Sequence, residues 1–168
     1  MLNEFLWIIT MNYCGLNFCD TSNGDGVRVS LFVSGCRMHC KGCFNPESWD
    51  FLYGEVFTEK TKEDILKGLH SDYVEGFSLL GGDPFEPEHE EVLLDLLKAI
   101  KEQYPDKTIW CWTGRKLEKI KDSPLLKYID VLIDGAFVEH LKDPNLKWRG
   151  SSNQRIIRIT KEDETLTI

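Results

Sequence analysis

Apolar residues along this chain fall into short runs that alternate with longer stretches of helical spacing. Val27–Val33 is a brief apolar run, rich in β-branched residues, that ends at Gly35 and predicts a buried strand. Thr61–Lys62–Glu63–Asp64 has the form of a helix start, and Ile65, Leu66, Leu69 and Tyr73 follow at helical spacing. A second strand is predicted over residues 77–80, broken abruptly at Gly81–Gly82–Asp83–Pro84. The next helix opens with the acidic stretch 86–91, which suits the positive end of a helix dipole. Its buried face is Leu93, Leu96, Leu97, Ile100 and Tyr104, and Pro105–Asp106 ends it. Thr108–Trp112 predicts a third strand, stopped by Thr113–Gly114. A charged helix from Lys116 and a turn at Pro124 lead to a fourth strand, Val131–Asp134, and residues 155–159 to a fifth.

Strands alternating with helices predict an α/β fold with a mostly parallel sheet in a single domain. In such sheets the reactive loops gather beyond the carboxyl ends of the strands. The segments 36–43, 81–84, Thr113–Gly114 and Asp134–Gly135 each follow a predicted strand, so one sheet edge is expected to carry all of them.

Composition narrows the function. The 168 residues carry a net charge of −8 with acidic residues spread along the chain. A nucleic-acid surface needs clustered Lys and Arg, so no nucleic-acid partner is expected. No apolar segment approaches the roughly 20 residues that span a bilayer, so no membrane partner is expected either and a cytoplasmic protein is. The run Phe5–Leu6–Trp7–Ile8–Ile9 lacks the basic leader and cleavage site of a signal peptide. Residues 1–10 read as a non-core extension, with Met11 the natural start of a domain over 11–168.

Six cysteines in a cytosolic chain point to metal, cluster or catalytic roles rather than to disulfides. Cys36, Cys40 and Cys43 stand in a C-x3-C-x2-C pattern within Ser34–Gly35–Cys36–Arg37–Met38–His39–Cys40–Lys41–Gly42–Cys43–Phe44–Asn45. Three thiolates so close can converge on one site, and Gly35 and Gly42 let the backbone curl around it. Iron–sulfur clusters usually take four thiolates, so three leave one iron open for chemistry. The competing use is a zinc site completed by His39, Cys14, Cys19 or Cys111, which would make the chain a non-catalytic binding module. Zinc sites favour paired C-x2-C knuckles, and Cys40–Cys43 alone forms one.

The cysteine pattern with its following aromatic residue resembles the motif of the radical-S-adenosylmethionine superfamily. The likeness goes further, through Asn23–Gly24–Asp25–Gly26, Leu31–Phe32–Val33–Ser34–Gly35–Cys36, Gly81–Gly82–Asp83–Pro84, Trp112–Thr113–Gly114, Asp134–Gly135 and Trp148–Arg149–Gly150–Ser151–Ser152–Asn153–Gln154. These resemble the anaerobic ribonucleoside-triphosphate reductase-activating proteins, in order over about residues 11–160. Asp25 departs from a frequent proline, and Cys14, Cys19 and Cys111 are extra.

The resemblance implies a partial (β/α) barrel with the cluster loop after its first main strand, and a [4Fe–4S] cluster on Cys36, Cys40 and Cys43. It implies that S-adenosylmethionine (SAM) binds the open iron through its amino and carboxylate groups. An electron from the cluster would split it into methionine and a 5′-deoxyadenosyl radical, which makes a glycyl radical in the partner, the anaerobic reductase. Gly82 and Asp83 would meet the methionine amino group, and Gly42, Cys43 and Phe44 the same ligand, with the Phe44 ring near adenine. A flavodoxin would donate the electron. Activation of another glycyl-radical enzyme, such as pyruvate formate-lyase, is the neighbouring possibility; the string 148–154 favours the reductase. The polar string 149–155 reads on its own as a solvated loop, and the resemblance gives it a part in closing the site or meeting the partner. Replacing any one of Cys36, Cys40 or Cys43 by Ala is expected to abolish SAM cleavage while the fold survives. The measurement is 5′-deoxyadenosine release beside circular dichroism, and residual turnover would show that the ligands are misassigned.

Overall fold

In the computed structural model, which describes residues 10–160, seven strands form one open sheet in an α/β fold, with three α-helices packed on one face. The expected extension 1–10 lies, apart from Thr10, outside the described residues. The strands are β1 (Asn12–Asp20), β2 (Val27–Val33), β3 (Glu55–Val56), β4 (Val74–Gly81), β5 (Thr108–Trp112), β6 (Val131–Asp134) and β7 (Arg155–Arg158). Their order across the sheet is β3-β1-β2-β4-β5-β6-β7. The central β2, β4, β5 and β6 run parallel, while β1, β3 and β7 are added antiparallel at the sides. The sheet is therefore mixed, and parallel in its middle.

Side chains alternate across each strand, so the sheet has two unlike faces. Val29, Leu31, Val33, Phe77, Leu79, Ile109, Cys111 and Leu132 face α1 (Glu59–Leu69) and α2 (Glu90–Gln103) and form the main core. The helices meet them with Ile65 and Leu69 and with Leu93, Leu96, Leu97 and Ile100, all fully buried as the spacing predicts. Trp110, Val131 and Ile133 face the other way and pack with Trp112 and Trp148. Cys111 is thus a core residue, on the opposite face from the tryptophans that flank it.

Several boundaries differ from the sequence reading. α1 begins three residues earlier than Thr61 implies in that reading, because Thr58 is the cap and Thr61 completes a reciprocal capping box with it. Tyr73 lies beyond the helix and is exposed. β4 extends to eight residues because β2 gives it a parallel ladder from Val27 to Val33. The charged helix expected after Lys116 is the four-residue α3 (Leu117–Ile120). β1 was not anticipated; its residues are mostly half-buried or exposed, so no buried run marks it.

Arg28, at the start of β2, is fully buried beneath the sheet. Its guanidinium donates to Ser78 Oγ, the Asp25, Phe77 and Thr108 carbonyls and Thr108 Oγ1, and lies 5.4 Å from the Trp110 ring centre. Asn23–Gly24 folds over it so closely that a Cβ on Gly24 would sit 2.8 Å from Arg28 Cδ. Burial pulls its pKa down to about 10, against the pull of acids such as Asp25 and Glu75. Removing a buried cation whose hydrogen bonds all go to carbonyls and hydroxyls is costly, because each acceptor is orphaned. Arg28→Met is expected to lower unfolding free energy by about 1–3 kcal/mol in urea melts; a loss under about 1 kcal/mol would contradict this role.

Candidate metal centre and its loops

The four loops named from the sequence lie at one edge of the sheet, where the central strands end level. β2 and β4 pair through Val33 and Gly81, so their exits lie side by side. The Gly82 amide donates to the Val33 carbonyl at 2.7 Å and the Asp83 amide to the Gly35 carbonyl at 2.9 Å. This approach depends on glycine: a Cβ on Gly82 would lie 2.4 Å from the Gly35 oxygen. Gly35 itself has a φ of 112°, and a Cβ there would strike the Phe51 ring. The cysteine loop and the diglycine turn are thereby locked together by backbone. On the other side Thr113 N donates to Ile133 O, and Gly135 N to Arg115 O, joining the β5 and β6 exits.

Cys36 opens the loop and is buried, with 8% of its surface exposed; Cys40 and Cys43 are half-buried. The chain returns after Cys43 as a one-turn helix, Pro46–Trp49, whose Ser48 and Trp49 carbonyls accept the Gly35 and Cys36 amides. Cys43 N donates to Cys40 O at 3.1 Å, closing a tight turn that Gly42, at φ 74°, permits. His39 is left-handed at φ 45°, is exposed, and stacks on Trp49 at 4.4 Å. Burial pushes the Cys36 thiol up to about 11, although the Met38 and His39 amides hydrogen-bond to its sulfur.

The donor set fits an iron–sulfur cluster. Three free thiols share one curled loop, and amides already point at the most buried sulfur, as a thiolate ligand requires. Metal binding would remove the proton that burial otherwise keeps on Cys36. Among the described residues no three His, Cys, Asp or Glu side chains gather to hold a single metal ion. The ligands of a cube need not do so, because each binds a separate iron atom. The other thiols have different surroundings. Cys14 donates to the Phe32 carbonyl at 3.4 Å and is approached by Asn45, Cys19 is exposed, and Cys111 is in the core.

Asp83 is fully buried, and its oxygens accept from the Phe85 and Gly114 amides and from Thr113 Oγ1. Arg115 pairs with it at 3.0 Å. Burial raises the Asp83 carboxyl above its ordinary range, against that charge and those hydrogen bonds. The residue clasps the β4 and β5 loops. Gly42 lies against Glu139, which also pairs with Lys41. Phe44 is 89% exposed, with the Lys142 ammonium 5.7 Å from its ring centre. The structure thus joins Gly82 and Asp83 to the Cys36 end of the loop and leaves the Phe44 ring in solvent.

Three neighbours of these loops escaped sequence reading. Glu86 is buried within the acidic stretch taken for a helix start, and Arg115 follows the Thr113–Gly114 stop. His89, also buried, has its ring nitrogens 2.9 Å from Asp83 O and 2.8 Å from Ser34 O, bracing both loops. Burial lowers its pKa, against those carbonyls and the nearby Glu86 and Glu88. The string 149–155 is knitted to its own backbone: Gln154 accepts from Gly150 and Ser151 and donates to Gly135 O, and Asn153 donates to Ala136 O. It braces the segment that carries Glu139 and Lys142.

Comparison with known proteins fits this site. A family model described as a 4Fe-4S single cluster domain matches residues 22–157. An anaerobic ribonucleoside-triphosphate reductase-activating protein of Pasteurella multocida is 46% identical over 90% of this chain and 99% of its own. Proteins of the same description from Enterobacteria phage T4 and Escherichia coli K12 are 44% and 43% identical, over 87% and 86% of this chain and 93% and 96% of theirs. The chain belongs to the anaerobic ribonucleoside-triphosphate reductase-activating protein family. The family match spans the cysteine loop, the diglycine turn and the 149–155 brace alike. Among the described residues, no helix is long and apolar enough to cross a membrane.

Gly82→Ala should force the two central loops apart and cost about 1–3 kcal/mol of stability, measured by thermal melting. A neutral substitution would mean that the approach to Gly35 can relax freely.

Proposed function

We propose that this chain is a radical-S-adenosylmethionine enzyme that activates anaerobic (class III) ribonucleoside-triphosphate reductase, holding one [4Fe–4S] cluster on Cys36, Cys40 and Cys43. When bound, such a cluster supplies the electron that splits SAM into methionine and a 5′-deoxyadenosyl radical, which takes hydrogen from a glycine of the reductase. The observation that carries the reading is a trio of free thiols at the exit of β2, beside a diglycine turn. The family match over residues 22–157 supports the cluster type.

The chain's own residues divide the work of binding and orientation. Cys36, Cys40 and Cys43 hold three irons and leave the fourth for the amino and carboxylate groups of SAM. Asp83 is occupied by its own donors, so the backbone carbonyls of Gly81 and Gly82 are the better acceptors for the ammonium, and Asp83 fixes their place. Gly42 and Cys43 line the same ligand, and the exposed Phe44 ring is free to stack on adenine. The sheet would curve around this ligand as a partial (β/α) barrel. An open iron is vulnerable to oxidants, which fits a reducing, cytoplasmic setting and a one-electron donor such as flavodoxin.

The names of the relatives favour the reductase over pyruvate formate-lyase as the partner. Iron-reconstituted protein, mixed without oxygen with the reductase, SAM and reductant, should give a glycyl-radical signal in electron paramagnetic resonance. No signal despite a full cluster would contradict this, and a signal in pyruvate formate-lyase alone would transfer the activity to that partner.

A further inference from the structure

The amides that lead into the thiolate loop have acceptors one after another, and a single side chain stands among them. Ser34, Gly35 and Cys36 donate to the Asn12, Ser48 and Trp49 carbonyls, and the Arg37 amide donates to Glu86 Oε1 at 2.8 Å. The next two amides turn to the Cys36 sulfur. Glu86 therefore holds the peptide that lies between the first ligand and the amides that solvate it.

Glu86 is 1% exposed, and a carboxylate so far from water needs partners to stay charged. The Arg37 guanidinium meets it at 2.6 Å and Arg115 at 3.2 Å. Arg115 reaches on to Asp83 at 3.0 Å. One line of alternating charge, Arg37–Glu86–Arg115–Asp83, thus runs from the cysteine loop to the diglycine loop. Outer partners of this kind set the orientation and the electrostatic surroundings of a metal's ligands.

We propose that Glu86 is a positioning residue for the cluster: it fixes the Cys36 turn through the Arg37 amide and ties that turn, through Arg115, to the loop that takes the methionine end of SAM. The inference rests on the cluster reading above. Glu86→Gln keeps the size of the side chain and removes its charge. The reconstituted variant should lose iron to a chelator about tenfold faster than wild type. Its cluster should also be easier to reduce, because a fixed negative charge has gone from beside it. Glu88→Gln removes a carboxylate that meets Arg37 from the solvent side, leaves the amide bond to Glu86, and should release iron at close to the wild-type rate.

Chelator kinetics and a redox titration, with circular dichroism as the fold control, decide the matter. A wild-type protein that takes up no cluster overturns the cluster reading and this inference with it. A fully loaded wild type with Glu86→Gln indistinguishable from it overturns this inference alone. Equal losses in Glu88→Gln and Glu86→Gln overturn it too, since any carboxylate on Arg37 would then have the same effect. Should Glu86→Gln fail to fold, Arg115→Gln carries the test: SAM should bind the loaded variant several-fold more weakly, and unchanged binding overturns the proposal.

Discussion

The site depends on two parallel strands that end level and on the absence of side chains where their exits meet. Because Val33 pairs with Gly81, the loops that leave β2 and β4 start at the same height. Gly82 and Gly35 then let the two backbones touch, with amides of one loop donating to carbonyls of the other. A Cβ on Gly82 would drive the thiolate loop from the turn beside it. Register and glycine together set the cysteine loop and the diglycine turn side by side. The helices on the opposite face keep the strands from slipping, since Val29, Leu31, Phe77 and Leu79 are all sealed under them.

Around that contact lies a set of charges buried deeper than surface chemistry would place them. Asp83 and Glu86 are sunk in the loops, and each is compensated by donors from a different strand exit. The Glu86 carboxyl is raised by burial but brought below its ordinary value by the Arg37 amide and guanidinium and by Arg115. Asp83 remains above its own, because burial outweighs its donors. Acids so placed reach the thiolate loop electrostatically, and both push the Cys36 thiol upward. They cost desolvation energy that a site built for packing alone would avoid.

Much of this was legible in the residues, for physical reasons. Val27–Val33 reads as a strand because it is buried on both faces, and Leu93 to Ile100 as a helix because one stripe is buried. The cysteine spacing puts three free thiols in one loop beyond β2, as the strand before it leads one to expect. β1 stayed hidden because a half-exposed strand with an interior glycine leaves no period to read. The start of α1 was misplaced because Thr58 and Thr61 can each serve as a cap, and both take part. Glu86 and Arg115 were illegible because an acid before a helix has an ordinary explanation in the dipole. Burial, which spacing does not encode, is what gives them another.

The central claim is that three thiolates of this loop hold a cube whose fourth iron is free. Mössbauer spectroscopy of protein reconstituted with iron-57 without oxygen, before and after SAM is added, tests it most directly. The account predicts one iron in four that changes its spectrum when SAM binds while the other three stay put. Four irons indifferent to SAM, or a protein that holds zinc and no cube, would contradict it.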